Sequence, residues 1–127
     1  MAKFYVCDGC KNLVMFLGEK SGCTPVCCGE QMKELVPNTV EAAFEKHIPV
    51  VKEEGGKVFV QVGEVAHPMM EAHYIEWVYL LTDKGEQIHR FRPGDAPNCV
   101  FHIGEEEVVI QVLAYCNLHG LWAAKLD

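Results

Sequence analysis

The stretch from Tyr115 to Gly120 reads YCNLHG and contains two groups that bind metal ions. Cys116 supplies a thiol and His119 an imidazole, with two residues between them. Both side chains are common ligands of zinc and of iron. This pair supplies only two donors, so a metal bound here needs further ligands from other parts of the chain.

Three of the six histidines lie in loop-like segments that could bring such ligands, namely EKHIP, VAHPM and EAHY. Pro49 and Pro68 restrict the backbone near His47 and His67. We therefore expect five donors to converge at one rim of a domain: His47, His67, His73, His119 and Cys116. The remaining histidines, His89 in QIHRF and His102 in FHIG, are interpreted as structural or surface residues of strands.

Four imidazoles and one thiolate favour iron over structural zinc, because structural zinc prefers four ligands. Imidazole stabilises ferrous iron, and a thiolate pushes electron density towards whatever binds opposite it. An iron with five such donors keeps one coordination position free. The expected chemistry is one-electron transfer to a small oxygen species.

A second set of ligands is predicted near the N-terminus, in CDGC and in the vicinal pair of CCGEQM. Four thiolates form a closed tetrahedral shell that suits zinc or a single iron. Side chains of adjacent cysteines diverge, so the second loop must distort to aim both sulfurs at one ion. The predicted ligands are Cys7, Cys10, Cys27 and Cys28.

The chain has seven cysteines in all, a number and spacing that indicate metal binding in a reducing compartment rather than a disulfide framework. Cys23 lies close enough to Cys27 to compete as a ligand, and it is interpreted as a spare thiol. Cys99 is interpreted as an ordinary buried cysteine of a strand.

The net charge of −7 excludes some classes of partner. Residues 1–36 carry four lysines and four acids, whereas residues 37–127 carry seven basic and fourteen acidic groups. A nucleic-acid-binding protein usually has a basic patch instead. No apolar run reaches the roughly 18 residues of a membrane span, and no signal peptide is recognised at the N-terminus, so a cytoplasmic protein is expected.

The distribution of motifs predicts two domains. Residues 1–36 are too few for a hydrophobic core to hold them alone, so a metal must stabilise this segment. LVPNT, from Leu35 to Thr39, is interpreted as the joint with a second domain over residues 37–127.

The second domain is predicted to be an antiparallel β-sandwich without a helix. KVFVQV alternates apolar and polar residues after the turn signal EEGG. In YIEWVYLLT we predict that Ile75, Trp77 and Tyr79 share one face of a strand. The segments EQIHRF, CVFHI, EEVVIQVLAY and LWAAKL supply further strands, and about seven short strands with glycine-containing turns are typical of a sandwich.

Glu45 and Lys46 directly precede His47. Such a pair usually belongs to a solvated surface. Beside an open iron position, however, a lysine could supply the local cation that an anionic substrate needs in an acidic protein. The carboxylate could fill the free coordination position when no substrate is present.

Taken together, CDGC, CCGEQM, EKHIPV, VAHPM, HYIEWV and CNLHG resemble the desulfoferrodoxins, the two-iron form of superoxide reductase. The N-terminal motifs are similar to the small rubredoxin-like protein desulforedoxin, and the others to the catalytic domain that superoxide reductases share. The resemblance covers the whole chain. It implies an immunoglobulin-like catalytic domain and a homodimer.

The resemblance also implies two iron ions. Cys7, Cys10, Cys27 and Cys28 would hold one in a tetrahedral site. A second, square-pyramidal site would have an equatorial square with Cys116 as the axial ligand: His47, His67, His73 and His119. Superoxide would bind ferrous iron opposite the sulfur and leave as hydrogen peroxide after gaining one electron and protons.

The resemblance further implies that Glu45 is a ligand of the ferric iron. It also implies that Lys46 is the cation that steers superoxide and positions water. An external donor such as rubredoxin would return the electron. The first iron would serve electron storage or dimer structure.

Two other readings remain open from the residues alone. One is a non-catalytic iron protein that only transfers electrons, although such a carrier usually keeps its metal coordinatively saturated. The other is a binding module stabilised by structural zinc, which would be colourless. The acid excess and the lack of interleaved basic and aromatic residues argue against nucleic acid as its partner.

Overall fold

A computed structural model of the protein describes residues 2–126, which contain twelve β-strands and one short helical turn. The chain divides into two compact units, the first ending at Val36 and the second beginning at Pro37. The predicted fold class, mainly β with antiparallel sheets, is confirmed. Within residues 2–126, no helix has the length and apolar character needed to cross a bilayer.

The first unit consists of five very short strands: β1 (Phe4–Val6), β2 (Leu13–Met15), β3 (Val26–Cys27), β4 (Glu30–Gln31) and β5 (Lys33–Glu34). They form an antiparallel sheet in the order β2-β1-β5 and a separate hairpin of β3 and β4. A small cluster of Tyr5, Cys7 and Met32 is buried between them. Because one member is itself a predicted metal ligand, this unit has little core that is independent of the metal site.

The second unit consists of α1 (Phe44–His47), β6 (Pro49–Glu54), β7 (Lys57–Val62), β8 (Ile75–Thr82), β9 (Glu86–Arg90), β10 (Asn98–His102), β11 (Val109–Cys116) and β12 (Gly120–Ala123). The strands form a three-stranded sheet, β10-β7-β6, and a four-stranded sheet, β12-β11-β8-β9. All pairings are antiparallel.

Residues of β7, β8, β10 and β11 form the core of this sandwich. Val58, Val60 and Val62 of β7 are buried and alternate with exposed neighbours, as the period-two pattern predicts. They pack with apolar side chains of the other sheet, among them Leu80 and Val112. The core therefore lies between the two sheets.

The prediction that Ile75 shares a face with Trp77 and Tyr79 is wrong. Ile75 packs in the core cluster with Val78 and Leu80. The register of β8 against β11 shifts between Trp77 and Ile75, because Tyr115 pairs with the first and Cys116 with the second. The extra residue of this β-bulge turns Ile75 to the other face of the strand.

The four-residue helical turn α1 was also not predicted. Its closing hydrogen bond runs from the Ile48 N–H to the Phe44 carbonyl oxygen over 2.9 Å. Four residues leave no helical periodicity for a sequence pattern to detect.

One end of the sandwich gathers the segments that carry the predicted ligands. Cys116 ends β11 and pairs with Ile75 at the start of β8 and with Gly120 at the start of β12. Pro49 at the start of β6 pairs with Val62 at the end of β7. The α1 turn, the connection from β7 to β8 and the turn from β11 to β12 therefore meet at this end.

Candidate metal centres

The first centre lies in the first unit and brings together the four predicted thiols, whose sulfur atoms all lie within 4.8 Å of one another: Cys7, Cys10, Cys27 and Cys28. The Sγ atoms of Cys10 and Cys27 are 3.6 Å apart, and those of Cys27 and Cys28 are 3.9 Å apart. A metal–sulfur bond of about 2.3 Å gives a tetrahedron with edges of about 3.8 Å. The sulfur spacing therefore fits one tetrahedral metal ion.

Left-handed backbone conformations shape both ligand loops. Cys28 has a φ of 54° and is followed by Gly29 with a φ of 77°, and Lys11 after Cys10 has a φ of 67°. This conformation is uncommon for residues other than glycine. At Cys28 it is the distortion expected from the sequence, because it turns the second of two adjacent side chains towards the same point as the first.

Hydrogen bonds within the cluster shift the pKa values of Cys7, Cys27 and Cys28. The N–H of Cys10 lies 3.5 Å from the Cys7 sulfur and lowers the pKa of Cys7 to about 7. Hydrogen bonding to Cys10 and then to the other thiols raises the pKa of Cys28 to about 12. Full deprotonation of the cluster therefore calls for a cation among the sulfurs.

The remaining cysteines lie outside this cluster. Cys23 is exposed, and its N–H donates to the Ser21 hydroxyl over 3.3 Å. Cys99 is buried in β10, and burial raises the pKa of its thiol to about 12. Neither is part of the metal-ligand groups found among the described residues.

The second centre lies at the end of the sandwich described above, where four imidazole rings stand at the corners of a square. The ring centroids of neighbouring corners are 4.6 to 5.1 Å apart, and neighbouring rings are almost perpendicular. The rings of His47 and His73 lie diagonally opposite each other at 6.4 Å. The order around the square is His47, His67, His73 and His119.

Hydrogen bonds fix which ring nitrogen faces the centre. The Nδ1–H of His47 donates to the Ala43 carbonyl over 2.7 Å, and that of His67 donates to the Pro68 carbonyl over 2.6 Å. Each of these rings therefore presents Nε2, and the two Nε2 atoms are 3.1 Å apart. Backbone partners of this kind orient metal-ligating histidines.

The other two rings complete the donor set in different ways. The Nε2 of His73 is buried and has no hydrogen-bond partner among the described residues. His119 presents Nδ1, which lies 3.1 Å from the His47 Nε2 and 3.7 Å from the Cys116 sulfur. A metal–nitrogen bond of about 2.1 Å places neighbouring nitrogens at right angles about 3.0 Å apart, so the spacing fits a metal ion.

Burial favours the uncharged form of His47, His67 and His73. It lowers the pKa of His47, and it lowers the pKa of His67 to about 4. Burial also lowers the pKa of His73, with smaller contributions from His119 and Lys46. Neutral imidazole is the form that binds a metal.

Cys116 is fully buried beneath the imidazoles. Burial raises the pKa of its thiol, whereas the backbone N–H groups of Leu118 and His119 lower it by hydrogen bonding to the sulfur. The sulfur belongs with His47, His67 and His73 to a group whose ligand atoms lie within 4.8 Å of one another. His119 is not part of that group, but its Nδ1 lies close to His47 and Cys116, so the structure brings the five predicted donors together.

Asn117, which the sequence analysis did not identify, holds the segment around His73. Its Nδ2–H donates to the Ala72 carbonyl over 3.0 Å, and its Oδ1 accepts from the Tyr74 N–H over 3.0 Å. Its own N–H donates to the Tyr74 carbonyl over 3.2 Å. The position of Asn117 between two ligands in CNLHG was the only available signal of this role.

Trp122 also supports two ligands and was not identified from the sequence. Its Nε1–H donates to the His119 carbonyl over 3.1 Å, and its ring lies 4.9 Å from the His47 ring. Gly120 has a φ of 80°, which permits the tight turn that joins His119 to β12. These contacts fix the two rings before any metal binds.

Glu45 and Lys46 are exposed on the α1 turn beside the square. The Lys46 charge contributes to the lowered pKa of His73, and the Glu45 charge opposes the lowering of the pKa of His47. Both charges therefore act on the centre. His89 and His102 are exposed on strands β9 and β10, away from the ligand groups.

Comparison with known proteins identifies relatives over nearly the whole chain. The family model described as desulfoferrodoxin matches residues 39–125. The desulfoferrodoxin of Desulfarculus baarsii is 46% identical over 121 residues, which cover 95% of this chain and 94% of that protein.

Among the solved structures that resemble this one are two superoxide reductases. The crystal structure of the superoxide reductase from Treponema pallidum has a TM-score of 0.85 and 37% identity, and the match covers 98% of this chain and 99% of that chain. The superoxide reductase (1Fe-SOR) from Giardia intestinalis has a TM-score of 0.56 and 33% identity. That match covers 65% of this chain but 98% of the other.

Proposed function

The chain belongs to the desulfoferrodoxin family, and on that premise we propose that it is a superoxide reductase that acts at the second centre. The observation that carries this proposal is the square of four imidazoles with a buried thiol beneath it. The Treponema pallidum protein, with which the chain shares its fold over almost its full length, is a superoxide reductase.

The protein uses two iron ions, one at each centre. The first is held by Cys7, Cys10, Cys27 and Cys28. We propose that the second is held by His47, His67, His73, His119 and Cys116. Ferrous iron held there would supply one electron, with which superoxide and two protons would give hydrogen peroxide.

The residues around the second centre have separate roles in this reaction. We propose that the ammonium group of Lys46 attracts the superoxide anion and holds water that provides protons. A local cation is needed because residues 37–127 carry twice as many acidic as basic groups. Glu45 is proposed as an additional ligand of the oxidised iron when no substrate is present.

Neighbouring residues keep the donors in place, and the Cys116 sulfur is shielded from water. Asn117 fixes the His73 segment, and Trp122 fixes His47 and His119. Leu118 and His119 stabilise the thiolate of Cys116 through their backbone N–H groups. Such preorganised dipoles need no rearrangement during the reaction.

We further propose that the protein works as a homodimer in the cytoplasm and removes superoxide there. Seven free thiols support a reducing compartment. On the outer face of the β10-β7-β6 sheet, Phe59 and Val100 are exposed and pair in register, which offers an apolar surface to a second copy. Sedimentation of the iron-loaded protein measures this directly, and a monomer at micromolar concentration would contradict the dimer.

A small electron-transfer protein of the rubredoxin type is proposed as the donor that restores ferrous iron. Each superoxide consumes one electron, so turnover requires such a donor. The test is anaerobic mixing of the oxidised protein with reduced rubredoxin. Rapid recovery of the ferrous spectrum is expected, and failure to exchange electrons would exclude this donor.

The role of Lys46 is tested with Lys46→Ala. We expect its second-order rate constant with superoxide at low salt to fall about ten-fold, because the local cation is lost. The dependence on ionic strength should also become flatter. Lys84→Ala, which removes an equal charge from the exposed turn between β8 and β9, is the control. An unchanged rate for Lys46→Ala would refute the steering role.

A further inference from the structure

We propose that Gly63 is a positioning residue for the superoxide reaction. Its lack of a side chain lets the turn after β7 lie directly against the backbone of Glu45 and Lys46, and this contact sets the place of the Lys46 ammonium group. The inference rests on the proposed role of Lys46 and goes beyond it, because Gly63 belongs to neither ligand group.

The space next to Gly63 leaves no room for a methyl group. A Cβ at this position would lie 2.5 Å from the Lys46 carbonyl carbon and 2.7 Å from the Lys46 Cα, and it would collide with the Glu45 carbonyl oxygen. Carbon atoms in contact are normally about 3.5 to 4.0 Å apart. All three obstructing atoms belong to the backbone, so a side-chain rotation cannot relieve the collision.

Hydrogen bonds hold the Gly63 turn on both sides. The Val65 N–H donates to the Glu45 carbonyl over 2.8 Å and ties the turn to α1. The Gln61 Nε2–H donates to the Gly63 carbonyl over 3.0 Å and ties it to β7. The His67 N–H donates to the Val62 carbonyl over 3.0 Å and closes the turn. The turn is therefore a fixed support rather than a loose loop.

The α1 turn depends on this support. A single helical turn has little stability of its own, because few hydrogen bonds offset the ordering of its backbone. His47 has a second anchor outside α1, because its ring lies 4.9 Å from the ring of Trp122 in β12. Lys46 and Glu45 have exposed side chains, and the backbone that carries them packs directly against Gly63.

Pushing α1 away from the turn should therefore move the Lys46 charge more than the His47 ring. A displacement of about one ångström can change the rate of a reaction that depends on position. The consequence is a kinetic defect in a protein that still binds iron at the second centre.

The test compares iron-loaded Gly63→Ala, Lys46→Ala, the double variant and the wild type. We expect Gly63→Ala to lower the second-order rate constant with superoxide at low salt between about 3-fold and 10-fold and to flatten its ionic-strength dependence. The double variant should be no slower than Lys46→Ala, because Gly63 acts through the same charge. Gly85→Ala is the matched control, since a Cβ there meets nothing within 4 Å.

Two results would overturn the inference while leaving the role of Lys46 intact. One is a wild-type rate and salt dependence in Gly63→Ala together with a slow Lys46→Ala. The other is a double variant slowed by the full product of the two single effects. A wild-type rate in Lys46→Ala would instead refute the steering role and the inference with it.

If Gly63→Ala fails to fold or to bind iron, Gln61→Leu decides the question. Gln61 is an exposed residue of β7, and the substitution removes only the donor to the Gly63 carbonyl. A smaller loss of rate that disappears in the Lys46→Ala background supports the inference. A rate and salt dependence identical to the wild type overturn it.

Discussion

The two metal centres are built by opposite strategies. The first draws four thiols from two short loops, in a unit whose strands are only two or three residues long. The second draws five donors from α1, the β7–β8 connection, the end of β11 and the β11–β12 turn, all at one end of a seven-stranded sandwich. We therefore expect a metal to stabilise the fold of the first unit, whereas the sandwich core positions the ligands of the second centre.

Electrostatics shows the same contrast. At the first centre the crowded thiols raise the pKa of Cys28 to about 12, so the cluster needs a cation to become fully deprotonated. At the second, burial favours neutral His47 and His67. Hydrogen bonds from their Nδ1–H groups to backbone carbonyls leave Nε2 of each ring free to bind a metal. The second centre is therefore preorganised by the fold, whereas the thiols of the first depend on a bound cation for their charge.

The largest expected effect is loss of activity in Cys116→Ser. Removal of the sulfur from the second centre should abolish superoxide reduction while the visible absorption of the first centre stays intact. The control is Cys99→Ala, which removes a buried thiol of β10 that belongs to neither ligand group. Simultaneous loss of both centres would show that they are not independent.

The second largest effect is expected on removal of the metal, which should change hydrogen exchange in one unit and not in the other. In the iron-free protein we expect the amides of residues 2–36 to lose their protection from hydrogen exchange, because this unit has little core without its metal. Amides of β7, β8 and β11 should stay protected by the sandwich core. Protein reloaded with iron is the control. Equal loss of protection in both units would show that the second unit depends on its metal as much as the first.

A smaller effect is expected when a supporting residue is removed from the second centre. Asn117→Ala takes away both side-chain hydrogen bonds to the His73 segment and should weaken iron binding there about ten-fold. Competition with a chelator, followed by the absorption of the second centre, measures this. Asn98→Ala, an exposed residue of β10, serves as the control. Unchanged affinity would mean that the sandwich positions His73 without Asn117.

No effect is expected from Cys23→Ser. Its thiol is exposed and lies outside the cluster of four sulfurs. The absorption and iron content of the first centre should match those of the wild type. A changed spectrum would show that Cys23 takes the place of one of the assigned ligands.

The sequence was informative where chemistry requires particular residue types. The four thiols that the structure gathers are those of CDGC and CCGEQM, and the alternation in KVFVQV predicts the buried face of β7. The loop histidines likewise stand together in the structure.

The sequence was less informative where the backbone departs from regular geometry. A bulge reverses the facing of Ile75, and the α1 turn is too short to leave a pattern. Asn117, Trp122 and Gly63 act through contacts with distant segments. Such contacts depend on the folded chain and have no local signature.

The most direct test of the central claim is the stoichiometry of the reaction. Fully reduced protein, kept reduced by an electron donor, is mixed with a known amount of superoxide, and hydrogen peroxide and oxygen are both measured. A reductase yields one peroxide for each superoxide consumed and releases no oxygen. One peroxide for every two superoxides with release of oxygen, or no consumption beyond the spontaneous rate, would contradict the account.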